Sequence, residues 1–146
     1  MTTPYSDTSK LASIKTYMLI AFIFNIIAMI SFALGGIWEL IAGATWSGYA
    51  GYLGYYYSGV GTSLIITGIV LLVFAAFSML IFFTRIRKMY NAVNTGDIKT
   101  LKQYNNMMWA ILALIFAGVL PGIMLIISFG PINELGQTPP PPPPPT

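Results

Sequence analysis

The sequence predicts an all-α, polytopic membrane protein with three transmembrane helices and a short cytoplasmic helical hairpin between spans two and three. Charge is absent from residues 16–38, 40–84 and 103–133. A hydrocarbon core of about 30 Å takes roughly 20 apolar residues at about 1.5 Å each, so every block is long enough to cross. The chain is 56% hydrophobic and 8% charged, whereas roughly a quarter of the residues in a soluble domain are charged. All seven Lys and Arg fall on one side of the three-span map, at residues 10, 15, 85, 87, 88, 99 and 102. That asymmetry places the N-terminus in the cytoplasm and the C-terminus outside the cell membrane.

Residues 1–15 form a polar tail, 16–133 the membrane domain and 134–146 a Pro-rich tail. The first span runs over about 17–38. A cleaved signal peptide is the competing reading, but the apolar run continues past the small residues at Ala33 and Gly35. Ala21, Asn25, Ala28, Phe32, Gly35 and Glu39 recur at alternating spacings of four and three, one seam of a helix. Small residues let a second helix approach closely, and Asn25 near the middle needs a partner for its amide. Glu39 reads as an interfacial carboxylate.

Residues 43–61 carry no charge, and Gly and Tyr recur in them at a period of three. The glycines predict a loop, with a re-entrant segment within 40–60 as the alternative. Tyr49, Tyr52, Tyr55, Tyr56 and Tyr57 are more than a membrane anchor requires and predict an outer contact surface. The second span covers about 60–83. Its hydroxyls at Thr62, Ser63, Thr67 and Ser78 can bond their own backbone or reach across to Asn25.

Residues 84–106 form the basic inner hairpin. Arg85, Arg87, Lys88, Lys99 and Lys102 are its candidate lipid-headgroup contacts. Asn94-Thr95-Gly96 reads as a helix stop, and Asp97 as the N-cap of the next helix. The third span covers about 107–129, with Ala110, Ala113 and Ala117 as a small-residue edge. Gly118 and Gly122 form a G-x-x-x-G contact, and Pro121 is expected to kink the helix. Seven prolines, 139–145, then predict a polyproline II tail.

With no Cys and no His, thiol chemistry, disulfides and His-based metal or haem ligation are excluded. No nucleophile–base pair or phosphate loop is present, so an enzyme, a cofactor and a bound metal are not expected. The net charge of +3 reflects topology, and nucleic acid is not an expected partner.

Tyr90-Asn91-Ala92-Val93-Asn94-Thr95-Gly96-Asp97-Ile98-Lys99-Thr100-Leu101, followed by Trp109-Ala110-Ile111-Leu112, resembles the loop of dispanin-type (interferon-induced transmembrane) proteins. It resembles equally small prokaryotic multi-span proteins of unknown function, which close on a span like Gly118–Ile123. The dispanin resemblance implies membrane-shaping or fusion control. This chain departs from it in having Leu101 and Asn105 after Gly-Asp, no Cys, an additional first span and a Pro-rich segment at the other end. The first expectation is therefore a structural, self-assembling or accessory-subunit role, with the bilayer and other copies or membrane subunits as partners. Fusion modulation is the alternative, and an oligomeric pore or transporter ranks behind both.

Overall fold

The computed structural model describes residues 4–53 and 56–137, with side chains over 8–52 and 59–137. Every regular element among them is helical. Helix α1, Pro4–Leu53, has 50 residues, and α2 spans Tyr56–Ile81. A π-helical turn, Phe82–Ile86, joins α2 to α3, Arg87–Thr95. Then come α4, Ile98–Tyr104, α5, Met107–Phe116, and α6, Val119–Glu134. Two helical stretches, Thr8–Tyr52 and Gly59–Thr95, are long and apolar enough to cross a membrane.

Helices α1 and α2 lie antiparallel, and glycine sets their separation. Gly36 and Gly43 are seven residues apart on α1, as Gly61 and Gly68 are on α2, so each pair lies on one helix face about two turns apart. The contacts are reciprocal. A Cβ on Gly43 would stand 2.8 Å from the Gly61 carbonyl oxygen, and one on Gly61 2.9 Å from that of Gly43. One on Gly36 would lie 2.9 Å from the Gly68 oxygen, and one on Gly68 2.8 Å from the Gly36 oxygen. The two backbones touch. Residues 43–61, expected as a loop, are therefore helical from 43 to 53 and again from 56. Gly43 and Gly61 serve close approach, and that packing outweighs a helix cost of about 1 kcal/mol each, whereas Gly48, Gly51 and Gly59 face open space.

The expected stop and cap at residues 96–97 are in place. Gly96 takes the left-handed conformation (φ 71°), and the Asp97 N–H bonds back to the Ala92 carbonyl at 2.9 Å. Asp97 accepts from the Thr100 N–H at 3.0 Å and starts α4. Asn106 caps α5 by accepting from the Met108 N–H at 2.9 Å.

A single continuous span over 107–129 is not what forms. The helix stops after Phe116, the chain turns at Ala117 and Gly118 (φ 104°), and α6 begins at Val119. Gly118 is a turn residue rather than part of a helix-contact face. Pro121, expected as a kink, lies in the first turn of α6, where a missing N–H costs nothing. The proline inside a helix is Pro131. Gly122 packs on the backbone of Leu114, so α5 and α6 fold back on each other.

Helix α6 consequently ends beside the start of α1, where Lys10 Nζ pairs with Glu134 Oε2 at 2.8 Å. Asn105, at the start of the same hairpin, donates to the Phe129 carbonyl at 2.9 Å and to Asn133 Oδ1 at 3.0 Å. A third crossing would have put residues 10 and 134 at opposite ends. The turn of the hairpin is held by Ala28, whose Cβ is 3.8 Å from a Cβ placed on Gly118, and by Phe116 against Phe74 and Phe77 (ring centroids 5.2 and 4.6 Å apart). The core lies in this half of the molecule and includes Ile14, Met18, Ile81, Ile86, Leu101, Ala113 and Ile132.

Gly36→Ala, Gly43→Ala, Gly61→Ala and Gly68→Ala are each expected to destabilise the protein by about 1–3 kcal/mol through overpacking. Gly48→Ala, with open space around it, is expected to be neutral or stabilising by up to about 1 kcal/mol. Thermal melts of the detergent-solubilised variants check both.

Candidate functional site

Three places gather the side chains that could act on something outside the chain: the middle of α1, the basic end and the aromatic tip. In the middle, Ala21 and Asn25 are fully buried. Asn25 donates from Nδ2 to Ser78 Oγ at 3.1 Å. Its Oδ1 is buried with no hydrogen-bond partner. The fully buried Ser128 donates to the Met124 carbonyl at 2.6 Å. A side-chain amide between apolar helices is held by a partner on the next helix, and here that partner is a single hydroxyl. Gly35 faces Leu71, and Phe32 meets Phe74 edge-on at 5.8 Å. Ala110, Ala113 and Ala117 are buried, as is Gly122.

At the basic end the candidate headgroup residues divide in two. Arg87, Lys88 and Lys99 are exposed. Lys102 is half-buried. Arg85 is different. It belongs to the π-helical turn, and its Nε is buried with no hydrogen-bond partner. Its guanidinium lies over the Trp109 ring at 4.6 Å and the Tyr104 ring at 5.4 Å. Lys88 Nζ donates to the Tyr104 hydroxyl at 3.3 Å and sits 5.0 Å from the same ring centre. Arg85, Met89, Tyr104, Asn105, Asn106, Trp109, Ala110 and Leu125 line a cavity of about 10 Å³, room for a single water. Sequence reasoning grouped Arg85 with the surface cations. Tyr104, beyond the reversal at Gly96-Asp97, and Trp109, beyond the next one, hold it apart from the surface cations.

The same end carries one perturbed carboxylate. Thr100, first through its hydroxyl and then through its backbone N–H, holds the Asp97 carboxyl below its ordinary value of 3.8, and the smaller effect of burial opposes it. Thr84 donates its hydroxyl to the Leu80 carbonyl at 2.6 Å within the wide turn.

At the far end, Tyr49 and Tyr52 are exposed, Tyr52 to 90%. Trp38 and Trp46 are exposed as well. Ala44, Thr45, Gly48, Tyr49 and Tyr52 line an open groove of about 240 Å³. The side chains of Tyr55, Tyr56 and Tyr57, and the proline run 139–145, lie outside the described residues. No family model matches this chain, and no curated protein or solved structure matches it either.

Asn25→Ala and Ser78→Ala are each expected to lower stability, with a coupling in the double-mutant cycle of about 0.6 kcal/mol and at most about 1.7. Additive effects would show that the bond contributes nothing. At Asp97 the folded-state pKa is depressed, so its stabilising contribution is present above 3.8 and is lost as pH falls below that value. The protection factor of the Thr100 amide, its exchange rate relative to the intrinsic rate at the same pH, is expected to fall in that acid range, and not in an Asp97→Asn variant.

Proposed function

We propose that this chain is a non-catalytic integral membrane protein that acts as a scaffold or small accessory subunit. In this reading α1 and α2–α3 cross the bilayer, and α5–α6 enters from the basic end and returns to it. The positive-inside bias of the seven cations supports a cytoplasmic position for that end and, with it, for both described ends of the chain. The projecting end of α1 and α2 is the docking surface, for another copy or for a different membrane subunit.

The supporting observation is the length and surface of that projection. Measured from Arg85 and the neighbouring turn of α1, a hydrocarbon core of about 30 Å is used up near Trp38 and Glu39. The remainder of α1, to Leu53, rises about 20 Å further. Headgroup layers add only about 5–8 Å on each side. Trp38 fits an interfacial anchor, but Trp46, Tyr49 and Tyr52 stand too far out for that role. They form an uncharged, aromatic face on α1, which backbone contact locks to α2, and large amphipathic rings on a rigid support suit recognition.

The alternative reading, a membrane-shaping or fusion-modulating protein, draws on the α5–α6 hairpin. It turns opposite Ala28, near mid-depth, so it widens one leaflet only. Replacing Arg87, Lys88, Lys99 and Lys102 by Gln is expected to weaken any effect on vesicle fusion, since each cation adds about 1 kcal/mol at an anionic surface.

The scaffold reading is tested by a photocrosslinking residue placed at Tyr49 in native membranes. One discrete higher-mass adduct is expected, and Trp46→Ser with Tyr52→Ser is expected to remove most of it. Reaction with lipid alone, or a smear indifferent to those substitutions, would contradict it.

A further inference from the structure

We propose that the basic end holds a binding site for a phosphate ester, with Arg85 as its main ligand and Lys88 and Tyr104 beside it. The inference rests on the reading that this end lies at a bilayer surface, and the phosphate closest to hand is that of an anionic phospholipid.

The first argument is charge. The chain's four carboxylates are Asp7, Glu39, Asp97 and Glu134. Among those with described side chains, Glu39 is on the far part of α1, Asp97 is taken up by its cap and Glu134 by Lys10. None serves Arg85. A guanidinium has five N–H donors and no acceptor. Here its Nε is already out of contact with solvent and unpaired, so the charge has to be stabilised through the two terminal nitrogens, where an acceptor would offset the cost.

Orientation is the second. The rings of Trp109 and Tyr104 both lie against the guanidinium. Contact with ring faces restrains its plane and leaves the donor edge for a planar or tetrahedral oxyanion. Arg85 also sits in a π-helical turn, a local form that recurs at functional positions. Lys88 brings a second positive charge to Tyr104. Because the Tyr104 hydroxyl accepts from Lys88, its own proton is free to donate.

Depth is the third. Arg85 is the first charge after the uncharged run 40–84, and its neighbour Phe83 is exposed. It therefore lies where apolar surface ends, at the level of headgroup phosphates. The cavity beside it holds about 10 Å³, too little for a phosphate, so the ester binds at the mouth. A soluble phosphate ester offers the same chemistry.

The test uses the full chain in a neutral detergent, with Trp38→Phe and Trp46→Phe so that Trp109 is the sole tryptophan reporter. Short-chain phosphatidylglycerol is expected to shift Trp109 emission saturably, and phosphatidylcholine is not. Arg85→Lys keeps the charge but loses the fork and is expected to bind about tenfold more weakly, the size of one charge-assisted hydrogen bond. Arg85→Gln is expected to abolish the response, whereas Lys15→Gln, at an exposed position of α1 outside the site, leaves it within about twofold. Saturation by glycerol 3-phosphate at similar concentration would support the site with a soluble ester as its ligand. No saturable response, equal responses to the two lipids, or an unchanged titration in both Arg85 variants would overturn the proposal. Loss of the crosslink at Tyr49 would sink the scaffold reading and leave this titration standing.

Discussion

Everything else in this fold depends on the direct backbone contact between α1 and α2. Where Gly36 faces Gly68 and Gly43 faces Gly61, no side chain intervenes and neither helix can slide without a clash. That register sets Asn25 opposite Ser78 and Phe22 opposite Phe82, whose ring centroids are 5.0 Å apart. It also brings Lys10 and Lys15 to the same end as the five cations that follow α2. Two helices so long would otherwise need many side-chain contacts to stay parallel. Carbonyl oxygens lying against glycine Cα atoms do it with little more than close dispersion and weak Cα–H bonds.

The second constraint is the turn at Ala117–Gly118. An apolar run long enough to cross is divided into a 10-residue and a 16-residue helix, neither of which spans about 30 Å alone. Backbone groups at such a turn are tolerable in an apolar setting only when protein covers them. Ala117 is fully buried, and Phe116 is wedged against Phe74 and Phe77. The result is asymmetric. Among the described residues, one end gathers core residues from all six helices, and the other consists of the paired ends of α1 and α2. Polar chemistry gathers at the first and aromatic surface at the second.

Much of this was legible in the residues. Long uncharged runs and one-sided cations foretold apolar helices, and Gly96-Asp97 foretold a stop followed by a cap. Of the seam, Ala21 and Asn25 are buried while Ala28, Phe32, Gly35 and Glu39 are half-buried, and Ala110 and Ala113 are buried. Two features misled. Gly48, Gly51 and Gly54 at a period of three drew the eye from Gly36, Gly43, Gly61 and Gly68 at a period of seven, which is the spacing that matters for a helix face. Gly118, followed three residues on by Pro121, carried the signature of one helix ending and another starting, since glycine favours a helix exit and proline its first turn. Continuous hydrophobicity masked it, because hydropathy counts apolar residues without sensing their direction.

The proposed placement of residues near 10 and near 134 on one side of the membrane underlies the rest, and the absence of native cysteine makes it directly measurable. Single cysteines at Tyr52, Gln103 and Gln137, each at an exposed position, would be labelled in sealed cells with a membrane-impermeant maleimide. Reaction at Tyr52, with protection at both Gln103 and Gln137 until the membrane is opened, is the predicted result. Reaction at Gln137 together with Tyr52 would mean that the chain crosses a third time, and would contradict the returning hairpin.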